Sequence, residues 1–488
     1  MAKRTAIIDI GSNSARMIVI ERTSRFGFCL VEEVKSRVRI AQMAYENGGL
    51  LQPTPLNRAY EALREFLNIA KSLKCRKILC VATSAIRDAP NKNIFLTKVK
   101  KELNLNIKVI DGEKEALLGA IAALNLLPIE NGITIDIGGG SSELALIKNS
   151  NIIKTISLNL GTVRLKELFF SKSYNFDDAK YFIQNELKKI PAEFKSEVAI
   201  GIGGTIRALC KSIMQKDNYP LDKIHGFEFS LKKNREYLEK LIFTKTKNLK
   251  KFYIKKDRYD TIKEGTLIFL EILNKIGSQR VVTSGVGVRE GLFLYDLLRN
   301  SNYKFPKNFN PSVRALLDRF CLNKKQSICI YKNSSKIYSA LFSEFDKNQE
   351  FKKHLLIASK LINIGIKIDF YEHHKHSSYI ILNDLEYKVT HKDIVLISIL
   401  VRFHKKKLPL DSSLKSFKKL LPSIKIINWL SFILTLAEVI NKDLSCPKFE
   451  IDYKEKVLTI KSKSPLYLAK EEIKSIQKPT PFAIIFEN

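Results

Sequence analysis

Residues 5–20 read Thr5-Ala6-Ile7-Ile8-Asp9-Ile10-Gly11-Ser12-Asn13-Ser14-Ala15-Arg16-Met17-Ile18-Val19-Ile20. The same outline returns 127 residues later as Gly132-Ile133-Thr134-Ile135-Asp136-Ile137-Gly138-Gly139-Gly140-Ser141-Ser142-Glu143-Leu144-Ala145-Leu146-Ile147. Each copy reads strand, D-I-G turn, strand, because apolar, largely β-branched runs flank a turn of glycine and small hydroxyl residues. A spacing this long is too large for a solenoid repeat and predicts two similar α/β domains facing each other across a cleft. A third glycine loop, Gly201-Ile202-Gly203-Gly204-Thr205, follows the apolar residues 198–200. Helical periodicity follows these strands at 56–73, 91–103, 113–126 and 177–190, so the expected architecture is α/β with a mixed sheet in each half.

Beyond residue 300 the pattern changes. Arg299-Asn300-Ser301-Asn302-Tyr303-Lys304-Phe305-Pro306-Lys307-Asn308-Phe309-Asn310-Pro311 holds four asparagines and two prolines and reads as a linker. After it, 313–321, 335–345, 351–364, 391–403 and 424–440 carry apolar residues at helical spacing, the pattern of an all-α domain. A hairpin at 448–452 and 457–461, a short helix and a strand at 482–486 complete a small α+β end. The expected domains are therefore lobe I at 1–125, lobe II at 126–305 with its last helix returning to lobe I, an all-α domain at 306–440, and a C-terminal domain at 441–488.

Composition bounds what such a chain can be. It has 488 residues, 45% hydrophobic and 27% charged, and a mean hydropathy of −0.10, values of a folded chain with three or four cores and not of a disordered one. The longest uncharged apolar stretches, 117–129 and 426–437, run to 13 and 12 residues, short of the ~20 a bilayer span needs, so no membrane association is expected. Asp9 interrupts the apolar run behind the basic start, which argues against a secretory signal and places the chain in the cytoplasm. Seven cysteines without a C-x-x-C pair predict reduced thiols, with neither disulfides nor a zinc site. The net charge of +33, spread along the whole chain, favours polyanionic ligands, although part of it is a general lysine bias.

The loops carry the chemistry. Gly11, Ser12, Asn13 and Ser14, and again Gly138, Gly139, Gly140 and Ser141, have the composition of turns that aim backbone N–H groups at a phosphate, since glycine reaches the positive φ of such a nest at no steric cost. Gly203, Gly204 and Thr205 add a third loop. Asp9 and Asp136 at the strand ends are positioned to hold Mg²⁺ directly or through water, with Glu143 as a further ligand. One such turn alone is an ordinary tight turn; two at corresponding places, joined by a third, predict a shared phosphate cleft.

These three segments resemble the phosphate motifs of the superfamily of actin, sugar kinases and heat-shock chaperones. Within it, D-I-G-S-N-S with D-I-G-G-G-S-S-E is similar to the exopolyphosphatase and guanosine pentaphosphate phosphohydrolase family. Further matches are A-T-S-A-I-R at 82–87, D-G-E-K-E-A at 111–116, L-G-T-V-R at 160–164 and S-G-V-G-V-R-E-G at 284–291. The resemblance implies two actin-like, ribonuclease-H-like lobes, Mg²⁺, and release of terminal orthophosphate from inorganic polyphosphate or guanosine pentaphosphate by in-line attack of water. It further implies Glu115 as catalytic base, Arg87 as a substrate-binding arginine, and a homodimer whose partners are polyphosphate and guanosine penta- or tetraphosphate alarmones, not specific nucleic acid. Asp111, Lys114 and Leu117 depart from the Ser, Glu and Arg of the family pattern. The residues themselves read as a strand at 107–110, a turn at Asp111-Gly112 and a helix at 113–126, with Glu115 in its first turn. There an acid complements the helix dipole by about 0.3–1 kcal/mol and is expected to stay ionised. Arg289 and Glu290 are expected to form a structural ion pair.

The helical domain resembles the HD phosphohydrolase fold of long family members. Ile362-Asn363 stands where active HD proteins carry their metal-binding His-Asp dyad, and neither residue can act as such a ligand. His373, His374, His376 and His404, beside Lys405-Lys406-Lys407, are read as packing, capping or polyanion-contacting residues. Two other functions remain open from the sequence: a kinase of the same superfamily, and a polyphosphate or alarmone sensor that binds without turnover.

Overall fold

Strand β1 (Lys3–Ile10) runs into β2 (Ala15–Arg22) through a four-residue turn in which Gly11 N–H donates to the Ser14 carbonyl at 3.1 Å. The coordinates are a computed structural model that describes residues 3–171, 175–405 and 407–487; Lys406 of the basic run lies outside the described residues. Thr5 to Ile8 are buried without alternation, because β1 is central and covered on both faces. With β3 (Phe28–Ser36), β4 (Lys77–Ala82) and β5 (Lys108–Val109) it forms a sheet of order β3-β2-β1-β4-β5, the first three antiparallel and the last two parallel to β1. Helix α1 (Pro53–Ser72) contributes Ala59, Leu63 and Phe66 to the core of this lobe; α2 (Ser84–Arg87) and α3 (Lys92–Leu103) follow β4.

Helix α4 (Gly112–Leu126) leads to the second copy of the pattern. Strands β6 (Gly132–Ile137), β7 (Ser142–Lys148), β8 (Asn151–Leu158), β9 (Val198–Ile202), β10 (Glu228–Ser230) and β11 (Arg280–Thr283) form a sheet of order β10-β11-β9-β6-β7-β8. Read from β8 to β11, this is the order and polarity of the first sheet, with β10 added antiparallel at the edge. The internal sequence repeat is thus a repeat of topology, and the pair of ribonuclease-H-like lobes is the actin-like fold. Helices α5 (Thr162–Phe169), α6 (Phe176–Leu187), α7 (Gly203–Lys216), α8 (Leu231–Phe243) and α9 (Ile262–Ile276) complete the second lobe, and α10 (Val288–Leu297) packs on β1 and α4. Lys77 and Asp296, 2.6 Å apart, tie α10 to β4.

The chain divides between Phe309 and Asn310 into two compact units. The second contains α11 (Pro311–Phe320), α12 (Lys324–Leu341), α13 (Lys352–Leu361), α14 (His373–Asp384), α15 (His391–Arg402) and α16 (Ile424–Ile440). Helix α12 begins eleven residues before the periodicity at 335–345 suggests, and the sequence pattern does not show α14 at all. Helix α16 is apolar on every side, which is tolerable only at a centre; its Trp429 is fully buried and stacks on Phe345 and Phe482. Strands β12 (Glu450–Lys454), β13 (Val457–Lys461) and β14 (Ala483–Glu487), with α17 (Tyr467–Ile473), belong to the same unit, where β12 packs on α12. Among the described residues no single helix is long and apolar enough to cross a membrane.

One expectation is overturned here. Cys329 of α12 and Cys446, in the loop after α16, form a disulfide, while Cys29, Cys75, Cys80, Cys210 and Cys321 are thiols outside any disulfide. The two partners are 117 residues apart with Cα atoms 5.7 Å apart, so only the packing of α12 against α16 brings them together.

Candidate active site

The two D-I-G turns have the same internal bond: Gly138 N–H donates to the Ser141 carbonyl at 2.9 Å, as Gly11 does to Ser14. They also meet. A Cβ added to Gly139 would lie 2.7 Å from Ser12 Cβ, and one on Gly140 would lie 2.1 Å from Tyr45 Oη and 2.3 Å from Ser84 Oγ. Glycine is therefore required at 139 and 140 by close approach, not by the positive φ the sequence reading assigns to the nest. Among the site glycines only Gly203 has that conformation, with φ +86°, and a Cβ there would strike Asp136 Oδ1 at 2.3 Å. The third loop thus closes over the aspartate of the second.

One cleft of about 150 Å³, the volume of roughly five water molecules, is lined by Asp9, Gly11, Ser12, Asn13, Ser14, Glu115, Asp136, Gly138, Gly139, Gly140, Ser141, Gly203, Gly204 and Thr205. Fourteen of the sixteen residues singled out from the sequence thus share one cavity. Arg87 and Glu143 stand behind it. Arg87 Nη1 donates to Glu115 Oε2 at 3.3 Å and to the Ile110 carbonyl at 3.4 Å, while its Nε donates to Asp88 at 3.1 Å. Glu143 pairs across the sheet with Asp136, is buried, and accepts from Ser157 Oγ at 3.0 Å.

Local structure explains how Glu115 arrives there. Asp111, in place of the family's serine, is the N-cap of α4: its Oδ1 accepts from Lys114 N–H at 2.6 Å, so the helix starts at Gly112 and puts Glu115 in the first turn. Its electrostatics differ from expectation. Burial, then Glu143, Asp9 and Asp136, push its pKa well above the usual carboxylate range, against the pull of Arg87. Desolvation and three neighbouring carboxylates thus outweigh the helix dipole in setting the direction of its shift. Burial also raises Asp9, Asp136 (to about 6) and Glu143. Burial raises all four acids, and neighbouring carboxylates raise Glu115, Asp136 and Glu143 further; as an all-oxygen donor set they fit a hard dication such as Mg²⁺.

The same cleft also has a cationic lining, and most of it escapes sequence reading. Arg16, Lys35, Arg37, Arg207, Arg258 and Arg289 line the cleft. Arg16 is lowered by burial and then by Arg207 and Arg289, the mark of guanidinium groups gathered without enough anions between them. Arg207 donates to the Gly285 carbonyl at 2.8 Å, and a Cβ on Gly204 would meet Arg258 Nη2 at 2.6 Å. Arg289 pairs with Glu33 at 2.8 Å instead of with Glu290, whose carboxylate accepts from Gly287 N–H at the start of α10. Arg164, in the L-G-T-V-R segment, donates to the Gly140 carbonyl at 2.7 Å and reaches Asp88 at 3.2 Å, fastening the second turn. Two signals were available: Arg16 lies two residues beyond Ser14 on one strand face, and Arg207 lies one helical turn past the third glycine loop.

Comparison with known proteins gives a consistent answer. Residues 18–300 match the Ppx/GppA phosphatase family, and residues 310–472 match Ppx/GppA phosphatase, domain III. The bifunctional 3-dehydroquinate synthase/phosphatase of Fusobacterium nucleatum is 32% identical over 298 residues, which are 57% of this chain and 44% of that protein, so the chain spans less than half of that relative. The guanosine-5'-triphosphate,3'-diphosphate pyrophosphatase of Pseudoalteromonas translucida is 25% identical over 479 residues, 93% of this chain and 91% of that one. The crystal structure of the Aquifex aeolicus member of the Ppx/GppA family aligns with a TM-score of 0.53 and 27% identity over 62% of this chain and 99% of its own. An exopolyphosphatase from Cytophaga hutchinsonii, 21% identical with a TM-score of 0.54 over 60% of this chain and 98% of its own, shares the fold. With both family domains matched in chain order on the two units, this chain belongs to the Ppx/GppA phosphatase family.

Proposed function

We propose that the chain is a Mg²⁺-dependent phosphohydrolase that releases terminal orthophosphate from inorganic polyphosphate, from guanosine pentaphosphate, or from both. The observation that carries this reading is the meeting of two glycine turns with the carboxylates of Asp9, Glu115 and Asp136 in one cleft that arginines also line. In this reading the nucleophile is water, held by Glu115.

The roles follow from position. The turns at Gly11–Ser14 and 138–141 hold the terminal phosphoryl oxygens, and Arg16, Arg207 and Arg289 carry the rest of its charge. Asp9 and Asp136, with Glu143 behind, would hold Mg²⁺, which supplies charge neutralisation at the phosphoryl oxygens and restores ionisation of the acids around it. Arg87 fixes Glu115 Oε2 and leaves the other oxygen to orient the attacking water. As the water oxygen bonds to phosphorus and the bridging P–O bond breaks, Glu115 takes the water's proton and the electron pair leaves on the shortened polyphosphate or nucleotide.

Phosphate release measured on both substrates with Mg²⁺ ranks them. Glu115→Gln is expected to retain substrate binding and lose about 10²–10⁴ in kcat. Wild-type turnover in that variant would remove the assignment of the base.

A further inference from the structure

His373, His404 and Glu438 come from three separate places in the helical unit: the first residue of α14, two residues past α15, and the last turn of α16. One ligand atom from each lies within 4.8 Å of the other two. Both imidazoles are oriented by backbone: His373 Nδ1 meets the Phe370 carbonyl at 2.6 Å, and His404 Nδ1 meets the Val401 carbonyl. A carbonyl can only accept, so the proton of each ring is on Nδ1 and the lone pair is on Nε2.

Those lone pairs are poorly satisfied. The His404 side chain is fully buried, and its Nε2 has no hydrogen-bond partner. What it faces is another acceptor, Glu438 Oε2, at 3.6 Å. An imidazole lone pair and a carboxylate oxygen aimed at each other in a buried place repel unless a proton or a metal cation stands between them. The Lys405 ammonium is 3.3 Å from His373 Nε2 and serves that ring, but it leaves His404 bare. A fourth nitrogen is nearby: the His374 ring lies 6.0 Å from His373 and 6.2 Å from His404, and its Nδ1 is buried without a partner.

We propose that His373 Nε2, His404 Nε2 and a Glu438 carboxylate oxygen bind one borderline divalent transition ion, Zn²⁺, in the helical unit, separate from the phosphate cleft. Two imidazoles and one carboxylate are a zinc donor set that leaves a fourth position for water or His374. They are a poor set for Mg²⁺, which takes oxygen ligands, so the two sites select different metals. The ion takes the place of the Lys405 ammonium and cross-links α14, the end of α15 and α16. Ile362-Asn363, at the position of the HD dyad, takes no part.

The test uses the full chain, stripped with a chelator and returned to buffer with excess Mg²⁺ so that the carboxylate cleft is filled. Calorimetric titration with Zn²⁺ is expected to show one equivalent bound with a Kd of about 1 µM or tighter. Co²⁺ in its place is expected to give visible d–d absorption bands from nitrogen ligands. His404→Gln and Glu438→Gln are each expected to weaken zinc roughly 10-fold or more. Lys405→Met, at a partly exposed position, is expected to tighten it. Zinc uptake no greater in the wild type than in a His373→Gln, Glu438→Gln double variant overturns the proposal. So does a Lys405→Met chain with unchanged zinc affinity.

Discussion

Asp136 closes β6 as Asp9 closes β1, and both carboxyls are raised by burial. A raised carboxyl binds its proton more tightly in the folded chain than in the unfolded one. Its contribution to stability is therefore full below the unfolded pKa near 4 and is lost as pH rises through the folded value, about 6 for Asp136. With the metal chelated, the thermal midpoint of the first unit is expected to fall between about pH 4 and pH 8, each pK unit of displacement being worth about 1.4 kcal/mol. Mg²⁺ is expected to raise the midpoint more at the upper end of that range than at the lower, since it binds the ionised acids. A midpoint independent of pH in chelator would show that these carboxyls are ordinary. Residue types at the turns were legible in sequence, but their reason was not: Gly139 and Gly140 are fixed by contact with Ser12, Tyr45 and Ser84, which come from other segments.

Helix α4 is the element on which the proposed catalysis depends, since its N-cap sets the position of Glu115 and its flank meets α10. That contact is nearly backbone to backbone: a Cβ on Gly291 would lie 2.0 Å from the Leu118 carbonyl oxygen. Gly291→Ala is thus expected to cost roughly 1–3 kcal/mol in denaturant unfolding and to lower kcat by moving α4. Wild-type stability and turnover would mean that α10 can retreat without disturbing the base. Elements with strong periodicity, such as α4, α15 and α16, were readable almost to the residue. Helix α14 was not, because His373-His374-Lys375-His376-Ser377-Ser378 presents no apolar stripe; its place is set by the helices that bury Ile380 and Ile381.

For the molecule as a whole, the charge of +33 becomes a statement about substrate. On the proposed function, a long polyphosphate would sample many of these cations and a nucleotide only those in the cleft. Raising salt from about 50 to 200 mM is therefore expected to increase KM for long-chain polyphosphate roughly 10-fold or more, and KM for guanosine pentaphosphate far less. Equal responses would show that the cations outside the cleft do not contact substrate. The duplicated strand–turn–strand pattern, the three glycine loops and the break near residue 309 could all be read from the chain, because local periodicity and turn chemistry specify them. Lys35, Arg37 and Arg258 of the cationic lining, the Arg289–Glu33 pair, the Cys329–Cys446 disulfide and the His373–His404–Glu438 cluster could not. Each joins residues distant in sequence, and neither their proximity nor the desolvation that shifts Glu115 exists until the helices and sheets have packed.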